Sequence, residues 1–288
     1  MTDQQHPLAD RTLVVSGGSR GIGLAIAVGA ARLGANAVLL AKTSEPHPKL
    51  PGSVHTAVAE VEAAGGKGLA VVGDVRNEED VQRAVNAAVE RFGGIDIVVN
   101  NASAIATDPT ERLSAKKFDL MMDINVRGTF LLTKAALPHL RQSSNAHVVT
   151  LAPPLNLNPH WLGAHPAYTL SKYGMTLLSL GWAAEYAAGT DGGGIGFSCL
   201  WPQTYIATSA VTNLADGDAL VSASRSPAIM ADAAAAILTM PAARANGQCF
   251  IDADVLTESG VADLSPYGGG DDPKWDIFVD EPASVNTP

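Results

Sequence analysis

The sequence is poor in positive charge and in aromatic residues. Its 288 residues hold 19 lysines and arginines against 29 aspartates and glutamates, a formal net charge of −10. Such an acidic chain is disfavoured as a partner of nucleic acid or of an anionic membrane surface. Only 5% of the residues are aromatic, so the 47% that are hydrophobic predict a substantial, mainly aliphatic core.

Cysteine and long apolar runs are also scarce. Cys199 and Cys249 are the two cysteines, and both lie in strand-like apolar runs, which indicates buried free thiols rather than a secreted disulfide framework. No apolar run is long enough to span a bilayer, and the polar leader Thr2–His6 leaves no room for a signal segment. We therefore expect a cytoplasmic protein without a membrane span. The histidines lack metal-like spacing, so no metal is predicted.

Apolar runs alternate with helical patterns along the chain. Val- and Ile-rich runs without strict alternation are typical of strands buried on both faces. Their alternation with helices predicts a single α/β domain, a doubly wound, parallel, seven-stranded sheet with helices on both faces (a Rossmann fold). The predicted strands are Thr12–Ser16, Ala37–Ala41, Gly68–Gly73, Ile95–Val99, His147–Leu151, Gly196–Trp201 and Cys249–Ile251, and helical patterns begin near Ile22, Val54, Glu78, Ala115, Ala167 and Ala228.

Three long loops interrupt this alternation, at residues 44–53, 153–166 and 203–226. Long loops at the carboxyl ends of parallel strands usually form the ligand pocket. We place the domain at residues 1–259 and a tail at 260–288, because the chain becomes rich in Gly, Pro and Asp from Gly260 onward. Such a tail is expected to wrap the surface or to be partly disordered, with cover of a subunit contact as the alternative.

The turn after the first strand carries glycines in a G-x-x-x-G-x-G spacing, at Gly17, Gly21 and Gly23. Small residues let the backbone approach a phosphate closely, and the helix that follows offers free N–H groups and a positive dipole end. Glycines also serve purely structural turns, but a turn between the first strand and the first helix favours a dinucleotide site. Ser19, Arg20 and Ile22 complete the predicted pyrophosphate-binding turn.

The second strand indicates which dinucleotide is bound. NAD enzymes usually end this strand in an acid that holds the ribose hydroxyls, whereas this chain continues from Ala41 into Lys42 and Thr43. Arg20 and Lys42 could both meet a 2′-phosphate, although they could instead be a solvated surface pair. The sequence thus predicts NADP(H) in preference to NAD(H).

Polar residues follow the third and fourth strands. Asp74 is predicted to accept a hydrogen bond from adenine; its alternative is helix capping, but Asn77 and Asp80 form a capping-type pair that would leave Asp74 free. Of Asn100 and Asn101, one is expected to brace the sheet edge and the other, assigned as Asn101, to reach the cofactor ribose. A plain polar turn is the alternative.

Tyr168 and Lys172 lie four residues apart in a predicted helix, and this spacing places them on one face. A phenol has a pKa of about 10, which an adjacent ammonium and an oxidised nicotinamide would lower. Tyr168 could then exchange a proton with an alcohol or a carbonyl. The alternative is an ordinary amphipathic pair.

The order and spacing of these motifs resemble the short-chain dehydrogenase/reductase family over about residues 11–255. The resemblance implies NADP use through the glycine turn, Lys42, Asp74 and Lys172, with Tyr168 as acid/base. It also implies that Asn125 kinks a helix and holds a water leading to the lysine, and that the protein is a homotetramer or homodimer. Longer strings, such as Pro153–Pro159, are similar to a narrower group whose larger members carry a sterol-carrier-like domain.

One departure from the family pattern is serious. The family places a serine at the end of the fifth strand, where it hydrogen-bonds the substrate oxygen, and this chain has Ala152 or Pro153 there. The loss of one such donor typically costs on the order of a hundredfold in rate. The sequence offers four substitutes: Thr150, Asn156, Asn158 and His160.

Two functions compete. The first is an NADP(H)-dependent oxidoreductase acting on a carbonyl or secondary alcohol, in a pocket made apolar by Leu155, Trp161 and Leu162 and so suited to a lipid-like substrate; these side chains could instead be core. The second is an NADP(H)-binding sensor or scaffold with little turnover, suggested by the missing serine. A nucleotide-sugar isomerase and an enoyl reductase fit the motif spacings less well.

Overall fold

A computed structural model describes residues 6–45, 52–186, 194–212 and 217–281. The prolines of the first predicted long loop, residues 213–216 of the third, the leader up to residue 5 and the tail beyond 281 lie outside the described residues.

A parallel sheet of seven strands forms the centre of the described molecule, in the order β3-β2-β1-β4-β5-β6-β7. The predicted α/β fold class is therefore confirmed. The chain order reverses between β1 and β4, and ligands of such sheets bind in the crevice at this switch point. The strands are β1 Thr12–Ser16, β2 Asn36–Ala41, β3 Lys67–Val72, β4 Ile97–Asn100, β5 His147–Thr150, β6 Gly196–Trp201 and β7 Cys249–Ile251.

Helices cover both faces of the sheet. One apolar core joins the sheet to α1 and α10 and contains Ile26 and Ile229; the other joins it to α3 and α5 and contains Val85 and Leu132. The helices are α1 Gly21–Arg32, α2 Val54–Ala63, α3 Glu78–Phe92, α4 Ala115–Met121, α5 Gly128–Leu140, α6 Pro159–Ala164, α7 Pro166–Glu185, α8 Ser209–Thr212, α9 Gly217–Ser222, α10 Ala228–Thr239, α11 Ala242–Ala245 and α12 Asp252–Glu258.

Two helical features differ from the prediction. The pattern that begins at Ala115 is interrupted, because a π-helix at Met122–Arg127 separates α4 from α5. The second predicted long loop contains the short helix α6, whose first amides are capped by the Asn158 side chain. Both features depend on local hydrogen bonding that an apolar periodicity does not reveal.

The described part of the tail does not simply wrap the surface. After a 3₁₀ turn at Ser265–Tyr267, the chain returns to the carboxyl edge of the sheet, where Asp276 is 8% and Phe278 2% exposed. The prediction of a surface or disordered tail is wrong for these residues, because their side chains pack against helix α7. We call residues 273–281 the C-terminal strap.

Candidate active site

A cavity of about 530 Å³ opens at the carboxyl ends of β1, β4, β5 and β6. Its size suits a small-molecule ligand. Most of the predicted site residues line it: Gly17, Ser19, Arg20, Gly21, Ile22, Lys42, Asp74, Asn101, Tyr168 and Lys172. Gly23 and Asn125 do not line it: Gly23 lies against the Asn101 side chain, and Asn125 is hydrogen-bonded behind the cavity wall.

The glycine turn forms one end of the cavity. Gly17 and Gly21 have φ angles of +70° and +58°, in the region that glycine alone adopts without strain. Helix α1 follows, and its N-cap residue Arg20 makes no side-chain hydrogen bond to the first amides. The helix therefore presents unpaired N–H groups and a positive dipole end at the cavity, as a pyrophosphate requires.

The Asn101 side chain clamps this turn. Its Nδ2 atom donates to the carbonyls of Ser16 at 3.0 Å and Gly17 at 3.1 Å. The Ser16 hydroxyl in turn accepts hydrogen bonds from the amides of Asn101 and Ala102, both at 3.1 Å. The end of β1 is thus tied to the end of β4, and the Asn101 amide nitrogen is engaged by protein rather than free. Asn100 is buried and donates to Thr133 at 3.0 Å.

We predict that Gly23→Ala lowers the free energy of unfolding and weakens the binding of the dinucleotide. The added Cβ would lie 2.4 Å from Asn101 Nδ2 and 2.9 Å from the Gly17 carbonyl, so the clamp must move. Overpacking of this kind costs about 1–3 kcal/mol, which denaturant unfolding measures, and NADPH titration should show a higher Kd. The matched control is Gly94→Ala, where a Cβ meets nothing within 4 Å. Unchanged NADPH affinity in Gly23→Ala would contradict a turn held by this clamp.

Basic side chains gather where β2 ends. One Arg20 guanidinium nitrogen donates to Thr43 Oγ1 at 3.1 Å and to the Gly52 carbonyl at 3.2 Å. The Lys42 side chain is 58% exposed and its Nζ lies 3.7 Å from Asp74 Oδ2. A ligand phosphate at this corner would meet both cations.

The expectation that Asp74 is free is wrong. Arg76 Nη2 lies 2.7 Å from Asp74 Oδ2, and this hydrogen bond is the first cause that holds the Asp74 pKa below its usual value. The Asn77 side chain caps α3, as expected, by accepting from the amides of Glu79 and Asp80. Asp74 still lines the cavity, but with an arginine partner two residues away.

Tyr168 and Lys172 lie on one face of α7, away from the corner of the cavity formed by Arg20 and Lys42. Tyr168 is 5% and Lys172 3% exposed. Lys172 Nζ donates to the Leu151 carbonyl at 2.8 Å and lies 5.1 Å from the centroid of the Trp201 ring. The ammonium is therefore anchored between the end of β5 and the end of β6.

Burial dominates the acidity of these two groups. It raises the pKa of Tyr168 above its ordinary value, with the charges of Asp276 and Tyr205 adding to the effect. It lowers the pKa of Lys172 to about 8, against the opposing influence of Asp276. The expected lowering of the Tyr168 pKa by Lys172 is thus not produced by the protein's own groups, because desolvation of a phenolate outweighs it.

Asn125 lies in the π-helix and is fully buried. Its Nδ2 donates to the Ala104 carbonyl and to Ser171 Oγ, both at 3.0 Å, and its Oδ1 accepts from the Ala104 amide at 2.7 Å. These contacts tie the segment after β4 to α7 beside Tyr168. The structure thus places Asn125 behind the cavity wall.

None of the four expected substitutes for the family serine lines the cavity. Thr150 is buried and accepts a hydrogen bond from Ser179 at 2.9 Å. Asn156 donates to Asp280 at 2.8 Å, Asn158 caps α6, and His160 is exposed. Ala152 itself is buried against Met175 and Cys199. None of these four residues therefore takes the place of the serine, since their side chains are engaged elsewhere or face solvent.

The apolar lining also differs from the prediction. Leu155 and Leu162 are 39% and 40% exposed, and the Trp161 indole donates a hydrogen bond to Asp280 at 2.7 Å. None of these three residues lines the cavity. The apolar lining of the cavity includes residues of other segments: Ile105, Leu151, Trp201, Pro202, Ile206 and Ile277.

Sequence reasoning missed the C-terminal strap. The Phe278 ring stacks on the Tyr168 ring with centroids 6.2 Å apart and planes 25° apart. The Trp201 indole donates to the Ile277 carbonyl at 3.0 Å, and Asp276 lines the cavity. The signal available was the apolar cluster Trp275, Ile277, Phe278 and Val279 within an otherwise polar tail.

The described residues also include both cysteines and can be searched for metal-ligand clusters and for membrane-spanning helices. Cys199 and Cys249 are free thiols, the first buried and the second half-buried. No cluster of three or more histidine, cysteine, aspartate or glutamate side chains suited to a metal ion occurs within the described ranges. Over the same residues, none of the helices combines the length and apolar character needed to cross a bilayer.

Residues 11–219 match the model of the short chain dehydrogenase family. Together with the parallel sheet and the glycine turn, this match shows that the chain belongs to the short-chain dehydrogenase family, an oxidoreductase family that uses nicotinamide dinucleotides.

Individual relatives narrow the comparison. The chain is 50% identical to hydroxysteroid dehydrogenase-like protein 2 of Danio rerio over 267 residues, which is 93% of this chain and 63% of that protein. The chain thus spans less than two thirds of the length of this relative. A crystal structure of a candidate dehydrogenase from Xanthomonas campestris has a TM-score of 0.90 at 50% identity and covers 95% of this chain and 99% of its own. A short chain dehydrogenase from Mycobacterium thermoresistibile has a TM-score of 0.88 at 47% identity, with coverages of 98% and 100%.

Proposed function

We propose that the protein is an NADP(H)-dependent oxidoreductase that transfers a hydride between the nicotinamide and a carbonyl or secondary alcohol, with Tyr168 as the acid/base. The observation that carries this proposal is one continuous cavity, which has the glycine turn at one end and the Tyr168 and Lys172 side chains at the other. The glycine turn with its unpaired helix amides suits a pyrophosphate, and the basic corner suits a 2′-phosphate.

A nicotinamide bound in this cavity would supply or receive the hydride, and its oxidised form would add a positive charge to the site. The protein's own residues handle the proton. In reduction, the Tyr168 hydroxyl donates its proton to the substrate oxygen; in oxidation, the phenolate accepts it. Because burial holds the phenol neutral, reduction starts from the protonation state that the fold favours. Lys172, anchored on the Leu151 carbonyl, places a positive charge at this end of the cavity.

Lys42 and Arg20 are proposed to select NADP(H) over NAD(H). We predict that Lys42→Ala raises the Kd for NADPH by about tenfold or more and leaves that for NADH nearly unchanged, since a hydrogen bond to a charged group contributes about 1.5–3 kcal/mol. Fluorescence titration of both nucleotides measures this. Lys67→Ala is the matched control, because Lys67 is an exposed lysine at the amino-terminal end of β3, where it pairs with the start of β2 and does not line the cavity. Equal losses for NADPH and NADH would contradict recognition of the 2′-phosphate.

An apolar, lipid-like substrate fits the cavity best. Ile105, Ile206 and Ile277 line it, and such walls contribute affinity by burying apolar ligand surface. The relatives named hydroxysteroid dehydrogenase-like protein 2 favour the same substrate class.

One observation favours a second function, an NADP(H)-binding sensor or scaffold with little turnover. The Ala152 side chain is buried against Met175 and Cys199, so no hydroxyl stands where the family keeps its serine. A screen of steroid and aliphatic ketones and alcohols with NADP(H) separates the two functions. Turnover in this panel supports the oxidoreductase, whereas tight NADPH binding without any turnover would leave the sensor.

We also propose that the protein is a cytoplasmic homotetramer or homodimer. Leu170 and Leu177 lie seven residues apart on α7, hence on one face, and are 53% and 58% exposed. Phe130 on α5 is 41% exposed. Apolar side chains of this size on one side of a domain are typical of an interface. The division of the chain at residue 259 likewise stays a prediction.

A further inference from the structure

The C-terminal strap brings a buried carboxyl group into the cavity. Asp276 is 8% exposed and lines the same cavity as Tyr168 and Lys172. Its backbone amide donates to the Gln203 carbonyl at 3.0 Å. The backbone of the strap is therefore held in place where the Asp276 carboxyl group joins the cavity wall.

The neighbours of Asp276 place it at the reacting end of the cavity. The Trp201 indole N–H donates a hydrogen bond to the Ile277 carbonyl at 3.0 Å. The Lys172 Nζ atom lies over that indole, 5.1 Å from the ring centroid. The Phe278 ring stacks on Tyr168 at 6.2 Å. Ile277 and Phe278, the two residues that follow Asp276, thus contact Trp201 and Tyr168.

Ala152 leaves the substrate oxygen without the donor that the family's serine would supply. A developing oxyanion in this family chemistry needs a hydrogen-bond donor besides the tyrosine, and Ala152 has none to offer. Two groups in the cavity wall act electrostatically on Tyr168, and they are Asp276 and Tyr205. Asp276 is buried, whereas Tyr205 is only half-buried, so the Asp276 carboxyl is the better shielded from competing water.

We propose that the neutral carboxyl group of Asp276 donates a hydrogen bond to the substrate oxygen, beside the one from Tyr168, and so replaces the missing serine. This inference rests on the proposed oxidoreductase function. A phenol paired with a neutral carboxylic acid is an effective donor pair for a developing oxyanion, because both protons point at the oxygen in a site of low polarity. Asp276 contributes no net proton to the reaction; the transferred proton comes from Tyr168.

The surroundings of Asp276 favour the neutral acid at neutral pH. Burial raises the pKa of its carboxyl group to about 8, the charge of Asp252 adds to this, and Lys172 opposes it. The other titratable groups that interact with it are Tyr168 on α7 and Tyr205 after β6.

Asp252, at the start of α12, has its own pKa raised by burial to about 6, with Arg225 opposing the shift. It is therefore mostly ionised at neutral pH, and its negative charge favours a proton on Asp276.

The ionisation of Asp276 determines whether the rate of ketone reduction rises or falls with pH. Below about pH 8 the Asp276 carboxyl group is neutral and can donate. Above it, an ionised carboxylate would put a second negative charge beside the oxyanion and raise the pKa of Tyr168 further. Ketone reduction should therefore slow as the pH rises through about 8. Lys172 has a pKa lowered to about 8 as well, so a variant must separate the two.

The test compares Asp276→Ala and Asp276→Asn with wild type, using NADPH and the steroid or long-chain ketone that wild type reduces fastest. We expect Asp276→Ala to lower kcat by about a hundredfold to a thousandfold. Asp276→Asn, whose amide still donates, should keep most of the rate and lose the part of the alkaline fall that Asp276 causes, while the part caused by Lys172 remains. Asp272→Asn, an exposed carboxyl group in the preceding tail, is the matched control and should behave as wild type.

The outcomes separate this inference from the proposed function. No turnover by wild type would overturn both. Turnover that depends on Tyr168 but is unchanged in Asp276→Ala, or a kcat in Asp276→Asn as low as in Asp276→Ala, would overturn the role of Asp276 alone. If Asp276→Ala does not fold, as thermal unfolding and NADPH binding will show, the kcat of Asp276→Asn decides: a rate near that of wild type supports the role of Asp276 as a donor, and a hundredfold loss overturns it. An infrared band of a neutral carboxylic acid at neutral pH should be present in wild type and absent in Asp276→Asn.

Discussion

Tyr168→Phe should lower kcat for ketone reduction by about a hundredfold to ten-thousandfold, the usual contribution of a positioned acid or base. The variant keeps the ring that stacks on Phe278 and removes only the hydroxyl group that supplies the proton. Because the ring and the cavity wall are retained, NADPH affinity and the free energy of unfolding should change little. Steady-state kinetics, nucleotide titration and denaturant unfolding measure the three quantities.

Tyr267→Phe is the matched control for this variant. Tyr267 also loses a hydroxyl group, one that donates to Asp232 at 2.7 Å, but it does not line the cavity. Its kcat should equal that of wild type. Equal rates for Tyr168→Phe and wild type would remove Tyr168 from the mechanism, whereas equal losses in both variants would point to a nonspecific effect on the fold.

Phe278→Ala should have the largest effect on stability, about 3–5 kcal/mol as for other buried phenylalanines. Its ring is 2% exposed and lies 5.3 Å from the Tyr173 ring, 6.0 Å from Trp201 and 6.2 Å from Tyr168. The residue has a φ of +72°, a conformation that costs a non-glycine residue about 1–2 kcal/mol. The packing of the ring stabilises this backbone, so its removal should loosen the strap.

Denaturant unfolding and steady-state kinetics test this prediction together. Phe278→Leu is the graded control, since it retains much of the apolar volume and should lose less stability. A loosened strap also displaces Asp276, so KM and kcat for the ketone should both worsen in Phe278→Ala while the Kd for NADPH stays near that of wild type. Wild-type stability in Phe278→Ala would mean that the strap is not packed as described.

Local patterns predicted the sheet well. Strands β1, β6 and β7 have the predicted bounds, and the other four differ by one or two residues at one or both ends. These strands are short apolar runs between turn residues, so the local sequence is enough to place them. The glycine turn was equally readable, because its conformation is set within a few residues of sequence.

Long-range contacts could not be predicted from the same patterns. Trp201 and Ile277 are 76 residues apart in sequence, and Asn156 and Asp280 are 124 apart. No periodicity links such pairs, so the strap looked like a polar tail and Asn156 looked available to the substrate. The prediction that the Asp74 side chain is free was wrong for a different reason. Its partner Arg76 is only two residues away, but a salt bridge between side chains at this spacing leaves no apolar pattern in the sequence.

A crystal structure with NADPH bound would test the central claim most directly, namely that one cavity brings the dinucleotide and the Tyr168 hydroxyl group together. We predict the pyrophosphate on the amides that follow Gly17, the 2′-phosphate near Lys42, and the nicotinamide ring beside Tyr168, Lys172 and Asp276. A nucleotide bound elsewhere, or a nicotinamide ring out of reach of the Tyr168 hydroxyl group, would contradict the account.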